Sequence, residues 1–505
     1  VTTAASRTSP ATGPATGPLT LPRAAPESVG VDPAGVSAFL DDVAARGLEL
    51  HGLMVLRRGA VAAEGWWEPY GPDRVHLLYS LSKTFTSAAL GHAVAEGLVD
   101  LDATVLSCFP ELDDEVTDPR SRAIRVRDVA AMASGHETET VDRAWALSPE
   151  DLVRGFLLLP PEHDPGSHFA YNQPCTYALA AILQRASGTT LTEYLRPRVL
   201  EPLGITVGGW QQRPEGQDLG YSGLHLTTES AARLGLALLG DGVVQGRRVL
   251  PEGWVAEMSR VHVATAPVPD PEGAGEVAGA GEGWRGDWAQ GYGFQVWRSR
   301  HGFRGDGAFG QFCLVLPELD AVVATNAATE DLQGILEAVW THLLPALGDG
   351  DAGSEDPAGP TPAAAALAER LRGLALPVAA TAAELQEGTW VGGAADAVGL
   401  GRLELRRAGD RWVVEVSLGG EALVVEAGVG RWAVTEPVGG RAAIAAAVGA
   451  PDADTVEVEV ALVETPHRLT VRGRRSTGEL TSTWRTRPLG GQPSLVSYQR
   501  PLTAG

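Results

Sequence analysis

Ser80 and Lys83 stand three residues apart in Tyr79-Ser80-Leu81-Ser82-Lys83-Thr84-Phe85-Thr86, a pairing that can perform nucleophilic chemistry. The apolar run from Leu81 to about Glu96 predicts a helix, on which residues three apart share a face, so the amine lies one turn from the hydroxyl. A helix N-terminus also offers free backbone N–H groups and the positive end of the dipole. Both favour the oxyanion that forms when a serine attacks a carbonyl. Lys83 can take the serine proton if desolvation or nearby positive charge lowers its pKa. Alone the tetrapeptide is a weak signal, because a serine N-cap followed by a first-turn lysine is common for capping and solubility reasons.

Several elements must position this pair. Pro33 to about Arg46 has helical periodicity through Val36, Phe39, Leu40 and Val43, and His51–Gly59 and Ala60–Trp67 read as a strand and its hairpin partner. A helix leading into antiparallel strands suggests a mixed sheet covered by helices. Beyond the nucleophile helix, Gly97–Asp102 is a stop and turn, and Ile124–Ser134 reads as a helix ended by Gly135 and His136. His136 reads as a histidine satisfying carbonyls at a helix C-terminus rather than as a catalytic group. Asp151–Leu159 is a further short helix. The loop 160–168 holds His163 and His168, but no recognised ligand spacing completes a metal site there. The loop delivers Tyr171-Asn172-Gln173 in front of an apolar helix, Tyr177–Ala186, that ends at Gly188.

With Ser80-Leu81-Ser82-Lys83 as an S-x-x-K motif and Tyr171-Asn172-Gln173 at the Y-x-N position, the chain resembles the serine hydrolases with the class C β-lactamase and penicillin-binding-protein fold. That family includes esterases, D-amino-acid peptidases and acyltransferases. Val129–His136, Pro165–Tyr171, Ser222–Thr228 and Gly307–Gln311 are similar to it as well, in the expected order over roughly residues 25 to 345. The resemblance implies an α/β (α+β) fold, a mixed sheet flanked by helices with an all-helical subdomain. It implies Ser80 as nucleophile, Lys83 and Tyr171 sharing the proton handling, and backbone N–H groups at Ser80 and near Ala308 as the oxyanion hole. Gln173, Asp306, Gly307 and Ala308 are the implied substrate or oxyanion positions. No cofactor or metal is implied.

Two departures from the family pattern stand out. Gln173 replaces the usual asparagine, so its amide is longer. The third motif, K-T-G or H-x-G, is matched by Gly305-Asp306-Gly307, with no lysine or histidine in the first position. His301 and Arg304 are the nearby cations. In β-lactamases and D,D-peptidases the missing cation commonly serves a substrate carboxylate, so penicillin-like substrates are disfavoured.

Further along, an amphipathic helix and a hairpin-like segment 242–249 fill the stretch from Thr228 to Ala256. Residues 264–290, rich in Gly, Ala, Pro and acids, read as a lid or a disordered loop, with Trp284 and Trp288 as substrate contacts or core plugs. Gly273–Gly279 follows no strand and opens no helix, which excludes a dinucleotide-binding loop. Tyr292–Trp297, Phe312–Leu316 and Ala321–Asn326 read as strands, and Leu332–Leu344 as a closing helix. Four regions are expected: a disordered leader at 1–24, the hydrolase domain at 25–346, an acidic Gly/Pro/Ala-rich linker at 347–380, and a lipocalin-like antiparallel β-barrel at 381–505. The barrel expectation rests on period-two alternation at Leu403, Leu405, Trp412, Val414, Val416, Val456, Val458 and Val460, and on family relatives with such a tail. The tail has one histidine, His467, and no nucleophile pattern, leaving packing against the hydrolase domain or shaping its entrance as its roles.

Composition narrows the function classes. A net charge of −23 over 505 residues opposes nonspecific binding to nucleic acid or anionic membrane. Cys108, Cys175 and Cys313 are too scattered for a disulfide framework. No apolar run approaches the roughly 20 residues that span a bilayer, and the first residues lack a signal-peptide core, so a cytoplasmic location is expected. The expected partner is a small-molecule acyl substrate. The expected activity is hydrolysis of an ester or amide through an acyl-enzyme on Ser80, with natural-product or D-amino-acid derivatives as candidate substrates. The alternatives are a transacylase or peptide-cyclising thioesterase, in which an amine receives the acyl group, and an inactive binding or sensor protein.

Overall fold

The computed structural model describes residues 19–265, 286–348, 361–393, 398–418, 421–436 and 442–489. In its first part the strands are β1 (Leu50–Arg57), β2 (Ala60–Trp66), β3 (His76–Leu77), β4 (Gly209–Trp210), β5 (Leu224–Leu226), β6 (Val243–Val244), β7 (Arg247–Arg248), β8 (Trp297–Arg298), β9 (Phe303–Gly307), β10 (Gln311–Leu316) and β11 (Ala321–Ala327). The helices are α1 (Pro33–Ala45), α2 (Ser82–Ala95), α3 (Pro119–Ala123), α4 (Val126–Ala130), α5 (Val141–Leu147), α6 (Leu152–Leu157), α7 (Gln173–Ser187), α8 (Leu191–Leu195), α9 (Thr228–Leu239), α10 (Trp254–Ser259), α11 (Leu332–Ala338) and α12 (Leu344–Ala346).

Six strands form one antiparallel sheet in the order β2-β1-β11-β10-β9-β8. Successive residues of its central strands serve opposite faces, as the pleat requires. Leu53, Val55, Phe312, Leu314 and Val323 pack with α1 and α11 on one side. Met54, Leu56, Cys313, Val315, Val322 and Ala324 pack with α2 and α9 on the other. Both faces are buried, so the strands read as apolar runs rather than as clean alternation. Helix α1 begins at Pro33, where a missing N–H costs nothing, and Asp32 caps it by accepting from Ala34 N at 2.9 Å. Helices α3–α8 form the helical part expected beside the sheet, with α7 buried along most of its length and ended by Gly188 at φ +70°.

The differences from expectation have local causes. The helix expected over Ile124–Ser134 shrinks to α4 because Met132 takes φ +58°, which ends the helical run. The strand expected at Tyr292–Trp297 survives only as β8. Gln295 takes φ +63° and spends its side-chain amide on the carbonyls of Val129 and Ala130 and the hydroxyl of Thr176. The closing helix is continuous only through a π-turn, Val339–Leu343, between α11 and α12. Residues 19–24, expected in a leader, pack on the first sheet through buried Leu19 and Leu21; residues 1–18 lie outside the described residues. The segment 266–285, with Trp284 and Gly273–Gly279, also lies outside them.

Within the expected linker lies α13 (Pro362–Arg372), whose Leu367 and Leu371 are buried against the α1 side of the first sheet. The tail then forms β12 (Gly388–Val391), β13 (Leu400–Ala408), β14 (Arg411–Leu418), β15 (Glu421–Val429), β16 (Ala433–Thr435), β17 (Ile444–Gly449), β18 (Thr455–Leu462), β19 (Arg468–Arg474) and β20 (Leu480–Trp484). Their order is β12-β13-β14-β15-β17-β18-β19-β20, with β16 also paired to β17. The sheet curls so that β20 comes back against β13, a nearly closed barrel filled by Leu403, Leu405, Val414, Val416, Val456, Val458, Val460 and Val471. It is mostly rather than wholly antiparallel, because β15 meets β17 in parallel at Gly428 and Val429.

The barrel packs on the first sheet and on the segment leading to Ser80. Leu77 N donates to Glu464 O at 2.8 Å, Tyr70 OH to Thr465 O at 3.1 Å, and Thr486 Oγ1 to Ala328 O at 3.2 Å. Arg468, 1% exposed, reaches Glu49 at 2.5 Å just before β1.

Candidate active site

Ser80 sits in a 3-10 turn, Tyr79–Leu81, that runs directly into α2, so the hydroxyl stands one step ahead of the expected helix start. Lys83, on the first turn of α2, is 1% exposed. Its Nζ lies 2.9 Å from Ser80 Oγ, 2.7 Å from Gln173 Oε1 and 2.8 Å from the carbonyl of Tyr221. Burial pushes the ammonium down to about 7 against the opposing fields of Glu139 and Asp306. A neutral amine has two hydrogens and one lone pair. With both hydrogens given to the two fixed oxygens of Gln173 and Tyr221, the lone pair is left for Ser80.

The Tyr221 carbonyl is held in place from α2 itself. Thr86 Oγ1 donates to Gly220 O at 2.9 Å, and Ser82 Oγ accepts from Leu224 N at 3.1 Å. Tyr171 comes from the turn before α7. It shares a hydrogen bond with Ser80, and burial raises its hydroxyl well above the ordinary tyrosine range. Its ring stacks on Trp297 with centroids 5.5 Å apart, and Lys83 Nζ lies 4.9 Å from its centroid. Asn172, fully buried, points away and accepts from Thr140 N and Oγ1, both at 2.9 Å. Gln173, the longer amide, still reaches the lysine.

Glu139 was not singled out by its sequence. It is exposed at the rim, and its Oε1 accepts from Gln173 N at 3.1 Å, Thr140 N at 2.9 Å and Val141 N at 3.0 Å. This places a carboxylate at the N-terminus of α7, where the helix dipole favours it, and within the field of Lys83. The only sequence hint is an acidic stretch, Glu137-Thr138-Glu139, just before a helix.

Strand β9 closes the other side. A Cβ on Gly307 would lie 2.2 Å from Leu78 O and 3.1 Å from Leu81 N, so the strand backbone rests directly on the turn that carries Ser80. A Cβ on Gly305 would lie 2.3 Å from Leu81 Cδ1 and 2.6 Å from Thr84 Oγ1, so a lysine or histidine there would require both side chains to shift. The missing cation is therefore a consequence of close packing. Neither nearby cation replaces it. His301 is exposed and packs on Trp340 at 5.0 Å. Arg304 is fully buried, pairs with Asp306 at 3.0 Å, lies over the Trp288 ring at 4.6 Å, and donates to Asp287 O, Arg298 O and Ser299 Oγ. Its Nη2 has no hydrogen-bond partner among the described residues. Trp288 also bonds Asp306, whose carboxyl burial raises above its ordinary value against the pull of Arg304.

Ser80 N lies in the first turn of the 3-10 helix and Ala308 N immediately after β9. Ala308 O accepts from Gln311 Nε2 at 3.1 Å, which anchors the loop after β9. Tyr79 and Phe309, the neighbours of these two N–H groups, take φ +48° and +66°. Each such conformation costs a bulky residue about 1–2 kcal/mol. His136 bonds Leu159 O and Ser134, both at 2.9 Å, tying two loops of the helical part together. His163 and His168 stack on each other at 4.2 Å. Among the described residues no group of three or more His, Cys, Asp or Glu side chains could hold a metal ion, and no helix is long and apolar enough to cross a membrane.

Comparison with known proteins gives one family. Residues 36–334 match the Beta-lactamase family profile. The chain is 27% identical over 300 residues to a 6-aminohexanoate-dimer hydrolase of Paenarthrobacter ureafaciens, covering 55% of this chain and 72% of that one. It is 29% identical over 197 residues to a lovastatin esterase of Penicillium rubens, covering 35% of this chain and so about half (49%) of the esterase. A Bacillus anthracis structure provisionally named 6-aminohexanoate-dimer hydrolase superposes with a TM-score of 0.50 at 19% identity, over 65% of this chain and 86% of that one, a likeness of fold. With the S-x-x-K pair, the tyrosine and the glycine strand brought into contact, and the profile matched from α1 to α11, the chain belongs to the beta-lactamase family.

Proposed function

We propose that the protein is a serine hydrolase that cleaves an ester or amide through an acyl-enzyme on Ser80. One observation carries this: Lys83 is stripped of water, has a pKa near 7, and has two of its three hydrogen-bonding directions taken by Gln173 and Tyr221, so that its lone pair meets the Ser80 hydroxyl. In the acylation step Ser80 Oγ bonds to the substrate carbonyl carbon while its proton passes to Lys83 Nζ. The carbonyl oxygen becomes an oxyanion held by Ser80 N and Ala308 N. Tyr171, kept protonated by burial, hands a proton to the leaving oxygen or nitrogen and is recharged from Lys83. Water then attacks the ester carbon, and the same groups run in reverse.

The Gly305 backbone supports substrates without a carboxylate beside β9, since among the described residues the nearby cations His301 and Arg304 are engaged with Trp340 and Asp306. The names of the two relatives, a 6-aminohexanoate-dimer hydrolase and a lovastatin esterase, support a hydrolase of this class. The test is intact-mass labelling with a fluorophosphonate and a panel of p-nitrophenyl esters and amides. Wild type gains one adduct on Ser80, and Ser80→Ala gains none. Full labelling of Ser80→Ala refutes the assignment. Adding amines to the trapped acyl-enzyme separates water from amine as acceptor, because amide product formed faster than acid makes the enzyme a transacylase.

A further inference from the structure

The residues on either side of the two proposed oxyanion donors share an unusual feature. Tyr79 precedes Ser80 and Phe309 follows Ala308, and both are large aromatic residues in the left-handed region, which side chains of this size rarely occupy. Such conformations persist only where surrounding structure over-determines them. Their rings meet edge to face at 5.4 Å and form a small apolar cluster with Leu77. The third member of the group comes from the barrel. His467, immediately before β19, lies edge-on to Tyr79 at 5.9 Å and to Phe309 at 5.5 Å. It is fully buried.

Its hydrogen bonds fix its tautomer. Nδ1 faces the Thr486 carbonyl at 3.0 Å and so carries the hydrogen. Nε2 is then an acceptor, and Tyr79 OH donates to it at 2.6 Å. The turn before it is anchored as well, since His467 N donates to Thr465 Oγ1 at 3.1 Å and Leu77 N donates to Glu464 O at 2.8 Å. We infer that His467 is a positioning residue for the oxyanion hole, through which the C-terminal barrel clamps Tyr79 and Phe309 and thereby aims the N–H groups of Ser80 and Ala308. The barrel is therefore part of the acylation machinery through this contact. A carbonyl oxygen gains most from these donors when it becomes an oxyanion, so the clamp acts on the rate of acylation and not on substrate binding.

This rests on Ser80 being the nucleophile, and the experiment separates the two. Wild type, His467→Leu, His467→Gln and Tyr79→Phe are titrated for active sites with a fluorophosphonate, and acylation is followed by stopped flow with an activated ester and its thionoester. Sulfur is a poor acceptor from oxyanion-hole donors, so the oxygen-to-sulfur rate ratio reports their aim. His467→Leu is expected to lose about 10- to 100-fold in acylation rate per active site, part of what deleting a donor costs. Its KM stays within about twofold, and the oxygen-to-sulfur ratio falls. His467→Gln, which keeps an acceptor near the Nε2 position, recovers most of the loss, and Tyr79→Phe reproduces a share of it. A His467→Leu enzyme with a lowered melting temperature but an unchanged rate per titrated site and an unchanged ratio overturns the inference. Wild type that takes no label at Ser80 overturns the underlying assignment, and this inference with it.

Discussion

Replacing Glu139 by Gln isolates one charge in the site. Gln keeps an oxygen to accept from Gln173 N and Val141 N, so the N-terminus of α7 stays capped while the negative charge is removed. Glu139 Oε1 lies 3.1 Å from Gln173 N, and Gln173 Oε1 lies 2.7 Å from Lys83 Nζ, so the carboxylate and the amine are separated by one glutamine, about 8–10 Å. At an effective dielectric near 20 that separation is worth about 2 kcal/mol, or about 1.4 pH units. The residue is exposed at its outer side while burial of its hydrogen-bonded carboxyl raises it above its ordinary value; the outer exposure governs screening at this separation and cuts the effect to about 0.5–1 unit. A nearby anion favours the ammonium, so removing it lowers the Lys83 pKa from about 7. The acid limb of kcat/KM for an activated ester, measured from pH 5 to 9, moves to lower pH by that amount, and activity at pH 6 rises relative to the plateau. An acid limb that stays put or moves up refutes Lys83 as the group that must lose its proton, whatever the plateau rate does.

Two further outcomes follow from the packing and from the buried histidines. Gly307→Ala puts a methyl against the Leu78 carbonyl, which cannot swing aside as a side chain would, so β9 moves off the Ser80 turn. Ser80 labelling is expected to slow by at least about 100-fold, with a stability loss of about 1–3 kcal/mol in urea titration, and near-wild-type labelling contradicts the oxyanion geometry. His467 is held neutral with its pKa at about 4, so the unfolded chain binds the extra proton, and stability falls as pH drops from 6.5 toward 4. From His467 alone about 2 kcal/mol is lost between pH 7.5 and pH 5. His51 and His76 are shifted in the same direction, while Glu49 and Asp287, held down at about 2, add losses only below the ordinary carboxylate range. A urea midpoint unchanged between pH 7.5 and 5 contradicts neutral burial of the histidines, and His467→Gln should remove its share of the slope.

Ser80 and Lys83 were legible because their relation is local: three residues on a helix fix the geometry whatever the rest of the chain does. Tyr171 and Gln173 could be picked out only through their motif and the helix that follows. That Gln173 rather than Asn172 meets the lysine depends on where α7 lies against α2, which no single segment determines. The Tyr221 carbonyl was illegible in principle, since a backbone oxygen leaves no trace in residue type. Glu139 reaches Lys83 only through the fold. Gly305 showed that a cation was missing, and only the clearance to Leu81 and Thr84 showed why. In the tail, the period-two pattern located the apolar strands, whereas the parallel β15–β17 contact and near closure depend on long-range pairing. The helix α13 fell in a segment that composition marked as a spacer, because its alanine-rich sequence forms a helix that buries only Ala364, Leu367 and Leu371.

The pairing of Arg468 with Glu49 limits how this chain can be recombined. The two side chains are 419 positions apart, and both are largely shielded from water. A version cut down to the beta-lactamase part keeps Glu49 beside His51 and loses the guanidiniums of Arg468 and Arg485, and a graft of the barrel onto another hydrolase leaves Arg468 with Glu459 alone. Removing one member of a buried pair costs about 3–5 kcal/mol, a large share of the stability of an ordinary domain. Chimeras with this chain should therefore move Glu49 and Arg468 together or replace both with apolar residues of matching volume.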